Sequence, residues 1–487
     1  MYRPPLLALA LSFVLSATSQ ASAKRPNIIF IMVDDLGKDY IGCYGADNIS
    51  TPNIDGLAAK GLKFRRAWSM PQCTPTRVTL LTGQYPWRTG WTNHWDVPRW
   101  GVGYFDWEKH KTFARVLRSS GYKTAIAGKW QINDFRVEPK ALDKHGFDDW
   151  CVWTGYEAKN PPSSKRYWDA YIHTKEGSKT YAAKFGPDVY CDFLIRFLEK
   201  HREDPMFLYF PMALTHGPLT TTPHEKDKPR GVEQFKGMVR YTDHLVGRIV
   251  KALDRLQIRD NTILIFTTDN GSPGGYRGTV GGKRPSGGKA SKFEGGVCQP
   301  FIVSAPGLVP EGKSTDALTD FSDLYPTFVE LAGAELPKGI QFDGKSFASV
   351  IFGQAERSPR DWILSMGHGA AYRDAEGVRG RADYAGRVLR GDRYKVWVGE
   401  DRKLEALYDL QEDPLEQNNL LSSKSAEHVA ARTRFESIVS KMPAVDARPK
   451  YRKRQALPWD VPVKDKAPAS KKKRKRNRNR KTNTRRS

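Results

Sequence analysis

Residues 27–35 read NIIFIMVDD, and residues 262–270 read TILIFTTDN. Each is a run of mainly aliphatic and aromatic residues with no polar alternation, and each stops at acidic or amide groups. Such runs mark strands covered on both faces, as parallel strands are in α/β sheets. Asn27–Val33, Thr124–Ala127, Met206–Pro211 and Thr262–Thr267 are predicted as strands of this kind. Phe113–Ser119 (closed off by Gly121), Val189–His201 and Phe235–Leu256 carry apolar residues at helical spacing between them. Strands alternating with helices define an α/β fold.

The pattern changes after about residue 355. Trp362–Ser365, Gly386–Arg390, Tyr394–Val398 and Leu407–Leu410 are short alternating segments broken by Gly and Asp, an antiparallel-sheet pattern. Ala426–Met442 then reads as one amphipathic helix, so residues 356–445 are predicted as a smaller C-terminal α/β subdomain after a catalytic-sized domain at 24–355. From Pro443 the chain becomes Pro-rich and then purely basic, and residues 446–487 read as a linker and a disordered tail.

The chain has 487 residues and a formal net charge of +25. Its length supports a large core and excludes a disulfide-stapled miniature. Residues 464–487 hold 13 Lys/Arg against one Asp, about half of the excess. The body is therefore only moderately basic, and a chain-wide nucleic-acid coat is not indicated. At the other end, MYRPP, an apolar run of 11 residues and Ala21-Ser22-Ala23 have the form of an export signal. That run is too short to span a bilayer, which takes about 20 residues. The reading is export of a mature chain from near Lys24 to the periplasm or medium, with no transmembrane segment. The five cysteines show no CxxC or zinc spacing, and an odd count in an exported chain sets one apart.

Ligands bind beyond the carboxyl ends of strands in open α/β sheets. Here the predicted strands lead to Asp34-Asp35, Lys129, His216 and Asp269-Asn270. Adjacent carboxylates repel one another and call for a cation. Three carboxylates and an amide, without a His or Cys pattern, suit Ca²⁺, or less well Mg²⁺. Either pair alone would also serve as ordinary turn residues after a strand.

The most specific local signal is Cys73-Thr74-Pro75-Thr76-Arg77, followed by Val78–Leu81 and Thr82-Gly83. It reads as a turn opening a helix, with a cysteine at the helix start and an arginine one turn on. A helix N-terminus favours anions and lowers a thiol pKa, so a thiol nucleophile fits, as does a buried free cysteine.

This arrangement resembles the signature of the formylglycine-dependent (type I, arylsulfatase-like) sulfatases: Cys or Ser, any residue, Pro, commonly Ser or Ala, Arg, four residues, Thr-Gly. Only Thr76 departs, at the variable place. Further matches run along nearly the whole mature chain: Asp34–Gly37, Gly121–Thr124, Gly128–Trp130, His145–Asp148, His216 with Pro218, Thr268–Gly271, Gly288-Lys289, Glu294–Gly296 and Leu407–Leu410 with Asp413-Pro414. The resemblance implies an alkaline-phosphatase-like fold, with a large mixed sheet between helices. It also implies oxidation of Cys73 to formylglycine by a maturation enzyme, hydration to a diol, and attack on sulfur by a diol hydroxyl activated on Ca²⁺.

By the matching positions, Asp34, Asp35, Asp269 and Asn270 hold the metal together with residue 73. Arg77 and Lys129 fix residue 73 and stabilise sulfate charge, Lys289 contacts sulfate, and His216 gives a proton to the leaving alcohol. Two positions depart from the family. Gln131 follows Trp130 where a His is usual, and an amide cannot take a proton at neutral pH. Cys298 stands where Arg is common.

On the substrate side, Tyr85–Trp107 contains Trp87, Trp91, Trp95, Trp100, Tyr104, Phe105 and Trp107. Exposed aromatic faces there would suit stacking on a sugar or aryl group; the alternative is that they cover core. His94 and Gln131 are candidate substrate contacts. Gly271–Gly288, with Arg277, Lys283 and Arg284, reads as a flexible pocket lip.

The sequence thus predicts an exported sulfatase acting on a sulfated carbohydrate or, less well, a small sulfate ester. The rivals are a phosphomonoester or phosphonate hydrolase and an impaired polyanion-binding homologue. The tail reads as a polyanion tether or as solubilising disorder. The four cysteines other than Cys73 leave three possible pairings.

Overall fold

The computed structural model describes residues 24–93, 105–155, 165–227, 230–367 and 382–450, with the backbone of a hairpin at 372–374 and 377–379. Its centre is an 11-stranded mixed sheet. The middle strands are β1 (Asn27–Val33), β3 (Lys123–Lys129), β4 (Asp149–Trp153), β7 (Met206–Pro211) and β8 (Thr262–Thr268). They lie in the order β8-β1-β7-β3-β4, all parallel. One flank carries β9 (Cys298–Ser304), antiparallel to β8, then β2 (Leu62–Trp68), with β10 (Lys313–Thr315) and β11 (Thr319–Asp320) paired to β2. The other flank ends in the antiparallel β5 (Tyr171–Thr174) and β6 (Gly177–Thr180).

Strand β1 explains why its sequence lacks alternation. Ile28, Phe30 and Met32 enter one hydrophobic cluster, while Ile29, Ile31 and Val33 enter the other. Helices Pro52–Ala59, Gly186–Lys200 and Val232–Arg255 cover the second face, and helices Cys73–Thr82, Phe113–Ser119 and Leu324–Leu331 cover the first. The predicted middle strands and three helices are present, with ends shifted by at most three residues. Strand β2 was not expected: Arg65 and Arg66 interrupt its apolar pattern. A register shift between Phe64 and Ala67 lets both arginines turn outward to Asp316.

The smaller sheet is antiparallel, in the order β12 (Ile363–Met366), β15 (Arg387–Arg390), β16 (Tyr394–Val398) and β17 (Leu404–Asp409); β13 (Tyr372–Asp374) and β14 (Gly377–Arg379) form the separate hairpin. Helix Ala426–Ser440 packs on it through Ala431, Phe435 and Val439, one residue per turn. Residues 446–450, assigned to the linker by composition, are docked instead. Asp446 accepts from the buried Arg387 at 2.8 Å, Ala447 N–H donates to the Trp87 carbonyl at 2.6 Å, and the Lys450 carbonyl lies 3.1 Å from His110 Nε2.

No disulfide joins the five cysteines. Of the three pairings left open for Cys43, Cys151, Cys191 and Cys298, none forms; the four lie on a turn, β4, helix Gly186–Lys200 and the start of β9. Among the described residues no helix is long and apolar enough to cross a membrane.

Phe105 is stacked between the rings of His110 and His145, with centroids 4.8 and 4.9 Å away. Burial pulls the His110 and His145 pKa values down to about 4 and about 3. Below pH 6.5 the unfolded chain takes up protons that the folded chain refuses, so stability is full above 6.5 and falls towards those values. The slope is about 1.4 kcal/mol per pH unit for each histidine. His145→Gln is expected to flatten the fall in Tm between pH 6 and 4, and an unchanged slope in thermal unfolding would refute this account.

Candidate active site

Because β8, β1, β7 and β3 are parallel neighbours, their carboxyl ends open side by side at one edge of the sheet. Asp34 and Asp35 follow β1, Lys129 closes β3, His216 follows β7, and Asp269 and Asn270 follow β8. Backbone bonds continue past the strands and lock these ends together. Asp34 N–H donates to Leu214 O at 2.8 Å, and Asp269 N–H donates to Val33 O at 2.9 Å.

Helix Cys73–Thr82 brings the fifth element. Cys73 is its first residue, and all ten residues are buried. Gly83 ends the helix with φ +66°, a left-handed conformation, and a Cβ there would meet Tyr325 and Phe342. The Thr76 hydroxyl lies 2.8 Å from the carbonyls of both Gln72 and Asp269, tying the helix start to the end of β8. Gly271 makes a second close approach: a Cβ there would sit 1.9 Å from the Gly295 carbonyl oxygen. That contact seats the loop carrying Lys289 beside Asn270.

The side chains converge. The Cys73 sulfur and one carboxylate oxygen each of Asp34 and Asp269 lie within 4.8 Å of one another; Asp34, Asp35 and His216 form a second such group. Lys129 Nζ donates to Asp34 Oδ2. Arg77 donates to Asp269 Oδ2 at 2.8 Å and to the Lys129 carbonyl at 3.1 Å. Lys289 donates to Asp35 Oδ2 at 2.7 Å, Asn270 Nδ2 to Asp35 Oδ1 at 2.8 Å, and His216 Nε2 stands 3.6 Å from Asp35 Oδ2.

Burial drives the Asp34 carboxyl up, but Lys129, His216, Arg77 and Lys289 outweigh it and hold the group below the usual carboxylate range. Asp269 goes the other way, raised by burial and by Asp34 against the opposing pull of Arg77. Burial lowers His216, with Asp34 opposing. Burial also disfavours charged Lys289, but Asp35 leads the groups that raise it overall.

The oxygen donors fit a hard cation. Asp34 Oδ1 and Asn270 Oδ1 are buried acceptors that receive no hydrogen bond, which is costly unless something else satisfies them. With Asp35 and Asp269 they form an oxygen set suited to Ca²⁺ or Mg²⁺.

All the predicted metal and catalytic positions are thus brought to one place. Gln131 is buried just past β3 with φ +72°, and its Oε1 has no hydrogen-bond partner. His94, Trp95, Trp100 and Tyr104 lie outside the described residues. Trp87, Trp91 and Phe105 are core residues, so stacking on a sugar is not their role. Trp107 donates to Glu138 at 2.6 Å. Within Gly271–Gly288, Arg277 donates to the carbonyls of Pro285 and Gly287, folding the segment on itself; Lys283 and Arg284 are exposed. Cys298 sits 3.0 Å from Lys38 Nζ, away from the carboxylates. Sequence reasoning did not single out Arg166, whose Nη1 is 3.1 Å from His216 Nδ1, because no local motif links positions 50 residues apart.

Comparison with known proteins agrees with this geometry. The Sulfatase family profile matches residues 26–334, and that of the N-sulphoglucosamine sulphohydrolase C-terminal region matches residues 288–441. The N-acetylgalactosamine-6-sulfatase of Canis lupus familiaris is 32% identical over 373 residues, 70% of each chain. An N-acetylgalactosamine-6-O-sulfatase of Bacteroides thetaiotaomicron is 29% identical over 82% of this chain and 90% of its own. Among solved structures, Ps i-CgsB in complex with k-i-k-neocarrahexaose superposes with a TM-score of 0.72 at 26% identity, covering 88% of this chain and 95% of that one. The fold is that of the alkaline-phosphatase-like superfamily. Within it, the chain belongs to the sulfatase family and is a sulfuric ester hydrolase.

A cation held by the orphaned acceptors would bind the folded chain alone. Added Ca²⁺ is expected to raise Tm, by about 2.7 kcal/mol of stability at a hundred times its Kd. Asp34→Asn and Asn270→Ala should lose this gain; equal Ca²⁺ shifts in wild type and both variants would place the ion elsewhere.

Proposed function

We propose that this chain is an exported sulfatase that removes sulfate from a carbohydrate, using a formylglycine made from Cys73 and one Ca²⁺. The carrying observation is the Cys73 sulfur at a buried helix start, within 4.8 Å of carboxylate oxygens of Asp34 and Asp269. A hard cation takes oxygen in preference to sulfur, so a thiol among these carboxylates is mismatched until it is converted to an oxygen-bearing group. The sugar substrate is supported by the N-acetylgalactosamine sulfatases among the relatives and by the k-i-k-neocarrahexaose bound to the structural neighbour Ps i-CgsB.

Asp34, Asp35, Asp269 and Asn270 would hold the cation, which supplies Lewis-acid activation of the nucleophile and charge for the sulfate oxygens. Arg77 and Lys129 orient residue 73 through Asp269, Asp34 and the Lys129 carbonyl, and Lys129 and Lys289 offer ammonium groups to the sulfate. His216 turns Nε2 towards this centre and donates a proton to the leaving alcohol oxygen. The Gln131 amide can donate or accept a hydrogen bond but exchanges no proton at neutral pH. That buried amide favours a second reading, a polyanion-binding homologue without turnover.

Mass spectrometry of protein made in a host with the maturation enzyme is expected to show formylglycine at position 73 and a chain starting near Lys24. Cys73→Ala and Asp269→Ala should abolish sulfate-ester hydrolysis, with the fold retained by circular dichroism. Paired sulfate and phosphate esters of one alcohol should show preference for the sulfate. Unmodified thiol throughout, or no wild-type turnover, would sink the catalytic reading.

The basic tail is proposed to tether the enzyme to sulfated polymer through salt-sensitive contacts. Truncation after Val463 should lower retention on such a polymer while leaving turnover of a small sulfate ester unchanged. Equal retention of both forms would leave the tail a solubilising segment.

A further inference from the structure

We propose that a cavity beside the catalytic centre is a second anion subsite, which holds a further sulfate or carboxylate group of the same glycan; this rests on the sugar substrate proposed above. The cavity measures about 650 Å³, within the range of small-ligand sites. Its walls come from the segment after β1, the Gly-rich segment, the start of β9 and the segment after β17. The first two of these walls also build the catalytic centre. Lys38 stands three residues after Asp35, and Ser286 three residues before Lys289. Three residues span at most about 11 Å of chain, so the two sites are close neighbours. Gly37 N–H donates to Ser272 Oγ and Lys289 N–H to the Ser272 carbonyl, both at 2.9 Å. One serine, two residues past Asn270, thus ties the shared walls together.

Most acidic groups of the lining are already occupied. Glu294 accepts from Arg390 at 2.6 Å and from Lys395 at 3.1 Å. Asp39 accepts from Gly278 N–H at 2.6 Å and from Ser272 Oγ at 2.9 Å, and burial raises its pKa. Asp413 accepts from the N–H groups of Gln417 and Asn418, and Glu412 is exposed to solvent. The cations are less well matched, although Arg65 is paired with Asp316. Lys38 Nζ donates to the Arg65 carbonyl at 2.8 Å, lies 3.0 Å from Cys298 Sγ and 5.2 Å from the Tyr44 ring centroid, and has no carboxylate partner. An ammonium carries three N–H groups, so one remains for a ligand. Lys283 is exposed and forms only backbone hydrogen bonds, with Val280, among the described residues. Arg390 is 7% exposed, and its Nε is a buried donor without an acceptor. Val280, Pro285, Leu410 and Leu415 add apolar surface that suits the C–H faces of a sugar ring.

A cavity whose carboxylates are engaged by the protein, and whose ammonium groups are not, attracts an anion. A glycan with a second charged group engages both this cavity and the catalytic centre, whereas a small sulfate ester engages only the centre. The subsite therefore acts on selectivity, favouring glycans of higher charge. Hydrogen bonds to charged groups are strong enough to give about tenfold or more in affinity.

The test uses oligosaccharides of one length that carry one sulfate, one sulfate plus a uronate, or two sulfates. Calorimetry on the Cys73→Ala protein measures binding independently of turnover; kcat/KM of the matured enzyme is measured alongside, with 4-nitrophenyl sulfate as the small ester. A doubly charged ligand is expected to bind at least about tenfold more tightly than the singly charged one, and the ligand that gains identifies the anion. Lys38→Met/Lys283→Met should remove this advantage, losing at least about tenfold more kcat/KM on the doubly charged glycan than on the aryl ester. Lys38→Arg should retain it. Lys283→Met alone, on an exposed segment, should weaken it and serves if the double variant does not fold. No advantage for the doubly charged ligands, or an advantage that survives in the lysine variants, would overturn the proposal. A binding advantage without hydrolysis of any ester would uphold the subsite while the catalytic reading falls.

Discussion

Three carboxylates are buried where the parallel strands end, and the rest of the site follows from the need to offset them. Isolated buried carboxylates are strongly disfavoured, and neighbours at this spacing raise one another. Lys129, Arg77 and Lys289 supply the counter-charge, each on a different element and each bonded to a different carboxylate. Three cationic side chains thus face three carboxyl groups at this centre. A divalent cation settling on the orphaned oxygens of Asp34 and Asn270 would tip the balance to a net positive centre, matched to an anionic sulfate ester.

The sheet makes that arrangement possible. Parallel strands deliver their carboxyl ends to one edge, so residues far apart in sequence, such as Asp34 and Asp269, become neighbours without a long connecting loop. The antiparallel turn into β9 brings Lys289 back from the Gly-rich segment. Helix Cys73–Thr82 then points its N-terminus at the carboxylates, with the Thr76 hydroxyl bridging to the Asp269 carbonyl. That orientation also suits an anion, since the N-terminal end of a helix dipole carries partial positive charge.

Legibility in the sequence followed burial. Strands buried on both faces, such as Asn27–Val33 and Met206–Pro211, were readable to the residue because nothing polar interrupts them. Most candidate site positions were readable because they follow such a strand or lie inside the Cys73–Gly83 motif; Lys289, in a loop, was legible only through the resemblance. Strand β2 was hidden by two arginines that leave the sheet at a register shift, an effect of tertiary pairing that no local pattern carries. The tryptophans stayed open between sugar stacking and core cover for a related reason: clustering in sequence says nothing about which face of a chain turns inward. Trp87 and Trp91 turn inward. Arg166 was beyond reach because its partners come from β4 and from the segment after β7.

The overall charge of +25 acts in a different regime from the centre. Buried pairs such as Arg77–Asp269 are screened little by salt, whereas exposed charges more than about 8 Å apart are largely screened at physiological ionic strength. Chemistry at the carboxylate cluster should therefore be almost indifferent to ionic strength, while capture of a polyanion by exposed lysines and arginines should depend on it strongly. The sequence separates the two, with the tail's basic run following position 463 and the site's cations on the sheet edge and its loops. The docked residues 446–450 end at His110, beside Phe105. On the proposed reading, net charge in this protein would bear on where substrate is gathered, and the local balance around Asp34 on what is done to it.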